Sequence, residues 1–178
     1  MKKTIWSLIL FTFTILTVAA QPDESKYGDT PEEIENCKRY LSLYREYRDQ
    51  GQYADALPHW RGAFRTCPGS AKTIFIDGAK FYGDILDTIY ENEAKAAQRD
   101  AYLDTLMLIY DKRMEHFGEE GRVLAYKAND LFTYEESRAA EANKMMKRSL
   151  DLEGMNSDAV VASKYYQALY TMYRNDEA

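Results

Sequence analysis

Histidine is scarce in this 178-residue chain: His59 and His116 are the only two. Glu115-His116 lacks the second histidine of a zinc-binding helix motif, and His59, beside Trp60, reads as a partly exposed surface residue. Cysteine is equally rare. Cys37 and Cys67 stand in no CxxC spacing and have no nearby histidine to orient a nucleophile, so neither reads as a metal ligand or a catalytic thiol. No glycine-rich phosphate loop exists; Gly118-Glu119-Glu120-Gly121 puts carboxylates where a phosphate needs amides and a cation. Positive charge is not in excess either. The formal net charge is -6, which argues against a nucleic-acid partner. Alternation of apolar and polar residues at period two never lasts through a bounded run, so strands are not expected. Asp84, Asp87 and Glu91 share one helix face, with nothing nearby in sequence to shift a pKa, and read as a solvated acidic face. No case for catalysis, a cofactor or a metal emerges.

What is present begins with a targeting pattern. Lys2-Lys3 forms a basic start, Ile5 to Val18 is uncharged and apolar, and Val18-Ala19-Ala20 offers small residues for cleavage before Gln21. The apolar run is short of the ~20 residues that span a bilayer, so residues 1–20 read as a signal peptide rather than a retained anchor, leaving no membrane span after cleavage. Loss of Lys2 and Lys3 takes the net charge to -8. No cysteine follows the small residues, so the lipoprotein type of signal is absent. Residues 21–29 are polar and turn-rich and read as a disordered leader.

From Thr30 onward the helical period dominates. Thr30-Pro31-Glu32-Glu33 is a capping box with proline at the first helical position. Tyr40, Leu43, Tyr44 and Tyr47 fall at i, i+3, i+4 and i+7, one stripe of a first helix. Gly51 suits the helix stop, Ala56, Trp60 and Ala63 make the stripe of a second helix, and Pro68-Gly69 ends it.

The string Tyr40, Leu43, Tyr47, Gly51, Tyr53, Ala56, Trp60, Ala63, Pro68 resembles the tetratricopeptide repeat (TPR), a helix hairpin of about 34 residues. Tyr44 departs from the small residue typical of that family. The resemblance implies an all-α fold of antiparallel hairpins stacked as a right-handed α-α superhelix over residues 30–178. Hairpins are expected over about 30–68, 70–118 and 119–154, followed by an unpaired helix over 157–175, about seven helices in all. Cys37 opens the first helix of the clear unit and Cys67 closes the second. In an exported chain that invites a disulfide, the alternative being two buried free thiols.

Later units are less regular. Ser70 is read as the cap of a third helix carrying Ile74, Ile76, Ala79, Tyr82, Ile85, Ile89 and Tyr90, with Gly78 and Gly83 packed against the preceding hairpin. A fourth helix runs to Phe117 and stops at Gly118. Thr133-Tyr134-Glu135-Glu136 is read as a second capping box. Ala142, Met146 and Ser149 echo Ala56, Trp60 and Ala63, and Gly154 ends that helix. The last helix, with Val161, Tyr165, Tyr166, Leu169, Tyr170 and Tyr173, is too apolar for a solvent-facing cap, which suggests a truncated array or one completed by another chain.

The functional expectation is an exported scaffold for protein–protein interaction in the periplasm or outer cell envelope of a bacterium, with a protein or peptide partner. Through the resemblance, the groove positions of the clear unit are Lys38, Leu41, Arg45, Arg48 and Asp49, whose cations would suit an acidic or carboxylate-ended peptide. A glycan- or nutrient-binding envelope protein with an aromatic platform is the alternative, as is the front part of a longer protein.

Overall fold

The computed structural model describes residues 24–90 and 96–175, with the side chains of Ala96 and Ala97 also left aside. The apolar N-terminal segment, its cleavage site and Glu91 lie outside those residues. Among the described residues there are seven α-helices and no strand: α1 (Pro31–Asp49), α2 (Tyr53–Thr66), α3 (Thr73–Tyr90), α4 (Ala96–Phe117), α5 (Glu120–Tyr134), α6 (Ala139–Glu153) and α7 (Ala159–Arg174). They pair as α1 with α2, α3 with α4 and α5 with α6, while α7 lies on α6. One continuous core runs through all of them, from Cys37 to Ala168.

Local chemistry accounts for the helix ends. The Thr30 hydroxyl accepts from the Glu33 N–H at 3.2 Å, and the Glu33 carboxylate accepts from the N–H groups of Asp29 and Thr30, each at 3.0 Å. Those backbone bonds hold the Glu33 carboxyl below its usual pKa. Gly51, Gly118 and Gly154 adopt φ of +72°, +68° and +54°, positive values that a glycine takes at a helix end without a Cβ penalty.

Cys37 and Cys67 form a disulfide with a Cα–Cα distance of 5.9 Å, joining the start of α1 to the end of α2. Between them Trp60 is 1% exposed, and its indole N–H donates to the Ile74 carbonyl at the start of α3 at 2.6 Å. Phe64, Phe81 and Tyr82 ring it. A Cβ on Gly78 would overlap the Trp60 ring, so this glycine is what lets α3 close on α2.

Five expectations need correction. Residues 24–29 are not a loose leader: a 3₁₀ turn (Ser25–Tyr27) packs Tyr27 on the core, and Glu24 pairs with Lys38. Ser70 does not cap α3; it is buried in a 3₁₀ turn (Pro68–Ser70), and its hydroxyl donates to the Cys67 carbonyl at 2.7 Å. On α3 the buried set is Ile74, Phe75, Gly78, Phe81, Tyr82, Leu86 and Ile89, whereas Ile76 and Tyr90 are exposed. Gly83 faces forward rather than back, toward the Tyr134 hydroxyl of α5. Thr133-Tyr134 belongs to α5, and a 3₁₀ turn (Glu136–Arg138) precedes α6, which has no side-chain cap.

The junction between the second and third hairpins is polar. The Tyr110 hydroxyl donates to Asp130 at 2.6 Å, Lys127 pairs with Asp111 at 2.5 Å, and Arg113 reaches Glu119 at 3.2 Å. Tyr134 donates to Asp87 at 2.8 Å, so Asp87 is a tie between α3 and α5 rather than part of a freely solvated face. Burial raises the Asp130 carboxyl, with the nearby Asp87 charge adding to it, against the lowering effect of the bonds from Tyr110 and Asn129. Burial, and then Asp130, push the Tyr110 hydroxyl far above its usual range.

Candidate functional site

The face of α1 singled out from the sequence is largely closed. Leu41 is 4% exposed and belongs to the core, so its assignment to a groove is withdrawn. Its stripe with Cys37 and Tyr44 is the one that α1 buries. Lys38 is exposed but ion-paired with Glu24, with its ammonium 5.3 Å from the Tyr27 ring centroid. Arg48 donates to Asp49 at 2.9 Å and to Asp77 of α3 at 2.5 Å. Partial burial lowers the Arg48 pKa, and the bonds to Asp49 and Asp77 more than offset this, leaving it raised. Arg45 reaches only the Thr73 hydroxyl, at 3.4 Å, and lies over the Tyr44 ring. Three cations are therefore present, but two already have carboxylate partners.

Carried forward to the third hairpin, the same positions look different. The buried α1 stripe Cys37, Leu41, Tyr44 has its counterpart on α5 in Gly121, Ala125 and Ala128, all buried. In that register Lys38, Leu41, Arg45, Arg48 and Asp49 correspond to Arg122, Ala125, Asn129, Phe132 and Thr133. Arg122, Ala125 and Asn129 line a cavity of about 480 Å³ together with Tyr126, the α6 residues Met146, Ser149 and Glu153, and Val160, Val161 and Lys164 of α7. Phe132 and Thr133 line the neighbouring concavity with Glu136, Lys164, Gln167 and Arg174.

Each wall has a local cause. Met146 and Ser149 form the floor because they occupy the buried stripe of α6, the echo of Trp60 and Ala63 visible in the sequence. Gly154 breaks the chain after α6, and Asp158 restarts it, its carboxylate accepting from the Val160 N–H at 2.9 Å. This turn stands α7 across from α5 and leaves a gap between them. Tyr126 is 47% exposed at its edge. Lys164 lies 6.0 Å from the Phe132 ring centroid, and Arg122 pairs with Glu119 at 3.6 Å, a long, exposed contact. The walls thus offer an aromatic face, an amide and two cations near solvent. Chemically this suits reversible binding of a polar chain.

The sequence places the groove on the first hairpin, whereas the open cavity lies at the third. The sequence signal for the third hairpin was the Ala142-Met146-Ser149 echo, but fourteen positions separate Ala128 from Ala142 against twelve between Tyr44 and Ala56, which obscures the register. The aromatic platform of the alternative reading loses Trp60, which is buried. Among the described residues no group of three or more His, Cys, Asp or Glu is arranged to hold a metal ion, and no helix is long and apolar enough to cross a membrane. The disulfide is compatible with an exported protein.

Comparison with family models, with curated proteins and with solved structures finds no match to this chain.

Proposed function

We propose that this chain is an exported, TPR-like scaffold of the bacterial cell envelope that holds a peptide segment of another protein in the groove between α5 and α7. The observation that carries this reading is the side-by-side order of the odd-numbered helices. Arg48 of α1 bonds Asp77 of α3, Tyr134 of α5 bonds Asp87 of α3, and Lys164 of α7 meets Phe132 of α5. First helices in contact along one side are what a stacked-hairpin superhelix requires, and they make its concave surface. The first such seam is closed by the Arg48–Asp77 ion pair; the last is open as the 480 Å³ cavity. In the proposed mode, Asn129 meets the peptide backbone, Tyr126 packs against a side chain, and Arg122 and Lys164 attract acidic groups.

The test is recovery of partners from envelope extracts with the wild-type chain, with Tyr126→Ala/Asn129→Ala and with Arg45→Glu/Arg48→Glu. Loss of the same protein band with the first double variant and its retention with the second is expected. Equal recovery by the wild type and the α5 variant would sink the groove assignment.

A further inference from the structure

The outer face of α7 has a composition that the groove does not explain. Ala168 and Thr171 are buried, the Thr171 hydroxyl donating to Glu136 at 3.0 Å, and Tyr165 and Val161 pack against the core. On the other side lie Ala162, Ser163, Tyr166, Leu169, Tyr170 and Tyr173, with no charged residue among them; Ala162 and Leu169 are half-buried, and Ser163, Tyr166 and Tyr170 also border the concavity toward Phe132 and Glu136. Tyr166, Tyr170 and Tyr173 are 68%, 67% and 74% exposed. The only charged side chains within the helix, Lys164 and Arg174, are drawn to the α5 side, Lys164 by the Phe132 ring and Arg174 by Glu136 at 3.0 Å. A helix that is apolar on two faces is one that expects cover on both. Among the described residues, α7 packs on α6 and meets α5 along one edge, while its tyrosines stay exposed.

We propose that a second copy of this chain provides that cover, through antiparallel pairing of two α7 helices about a two-fold axis passing near Tyr166. Three observations favour a second copy. The first is shape. Along this face the early positions are small (Ala162, Ser163) and the late ones large (Tyr170, Tyr173). With the axis near Tyr166, antiparallel pairing sets Tyr170 of each copy over Ser163 of the other and Tyr173 toward its first turn, so bulk meets space in both directions, as an isologous interface demands. The second is charge. At net -6 two copies repel each other in general, and this neutral face lets them approach without opposing like charges. The third is area. Three tyrosines exposed to this degree offer roughly 130–150 Å² each, so two copies with the surrounding small residues bury about 1,000 Å², the low end for a specific interface. Antiparallel pairing is also how this fold builds its own hairpins. A sugar platform would want polar groups around the rings, and this face offers Ser163 among alanine and leucine.

The proposal does not rest on the groove reading, and Asn129→Ala leaves it untouched. Sedimentation of the purified chain is expected to show a reversible monomer–dimer equilibrium in the micromolar range. Ser163→Lys and Tyr170→Glu are each expected to weaken it by at least about tenfold, with helicity by circular dichroism unchanged. Mixing the two variants should restore a heterodimer, because the lysine of one then faces the glutamate of the other. Tyr166→Cys should form a covalent dimer on oxidation, and Lys144→Cys on the exposed side of α6 should not. A wild-type chain that stays monomeric at all concentrations overturns the proposal, whether a following segment of a longer chain, a different protein or a glycan covers the face instead. A dimer indifferent to Tyr170→Glu, or failure of the mixed variants to pair, overturns it equally.

Discussion

The first hairpin and the third are built to one plan and finished to different ends. In the first, Ala56, Trp60 and Ala63 meet a buried aromatic seam with α3, a disulfide joins the hairpin's ends, and Arg48 closes the face of α1 onto Asp77. In the third, Ala142, Met146 and Ser149 occupy the equivalent stripe, but the junction toward α4 is a set of Tyr–Asp, Lys–Asp and Arg–Glu contacts, and the face toward α7 stays open. The difference teaches that a shared hairpin plan does not by itself assign a role. Large buried aromatics and a staple turn one copy into an anchor. Smaller residues and polar ties turn another into a wall with room beside it.

The sharpest way to break this contrast is at the two equivalent core positions. Trp60→Ala should cost about 4 kcal/mol, since it leaves a large cavity and deprives the Ile74 carbonyl of its indole donor. Met146→Ala should cost less, about 3 kcal/mol. Urea unfolding monitored by circular dichroism measures both, and a larger loss at Met146 would invert the assignment of anchor and wall. Next comes the staple. Cys37→Ser/Cys67→Ser should lose about 3 kcal/mol through the freed loop of the unfolded chain, while groove variants keep their behaviour; mass mapping that found free thiols in the exported protein would remove the staple from the account.

Two glycines on one helix give a smaller, more diagnostic pair. Gly78→Ala drives a methyl into the immobile Trp60 and should destabilise by about 2 kcal/mol. Gly83→Ala finds only the Tyr134 hydroxyl at 3.6 Å and should be neutral or stabilise by up to about 1 kcal/mol, the helix-propensity gain. Thermal melts giving the same sign for both would refute the close packing of α2 on α3.

The smallest effect probes the polar junction. Asp130 has a raised folded pKa, so its carboxyl favours the fold when protonated. That contribution is complete below the unfolded pKa near 3.9 and is lost as pH rises through the higher folded value. Asp130→Asn should therefore raise stability at neutral pH, with the gain shrinking toward acid pH. A gain independent of pH would exclude burial of the carboxylate as its cause.

Much of the fold is legible in the residue pattern. Thr30 to Glu33, Gly51, Gly118, Gly154 and Asp158 mark helix ends because caps and left-handed turns depend on neighbours within four positions. The Cys37–Cys67 bond is legible because a hairpin brings its two ends together. The buried face of each helix is harder to read. On α3 and α1 apolar residues are dense enough to satisfy two registers of the 3.6 period, so Ile76 and Leu41 were assigned to the wrong side. The candidate site was less legible still. Arg48 and Asp77 lie 29 residues apart, and Tyr134 and Asp87 lie 47 apart. No local pattern announces which ion pairs will close a face.

By itself, then, the amino-acid sequence determined an all-helical chain of short hairpins and a stapled first unit, because these follow from period, capping and spacing along the chain. Only the tertiary structure decided that α1 is sealed by α3, that Gly78 and Trp60 share one space, and that an open groove lies between α5 and α7. Those are outcomes of how one hairpin settles on the next. They depend on contacts among residues far apart in sequence, where side-chain volume and charge are weighed across a gap that the linear order does not encode.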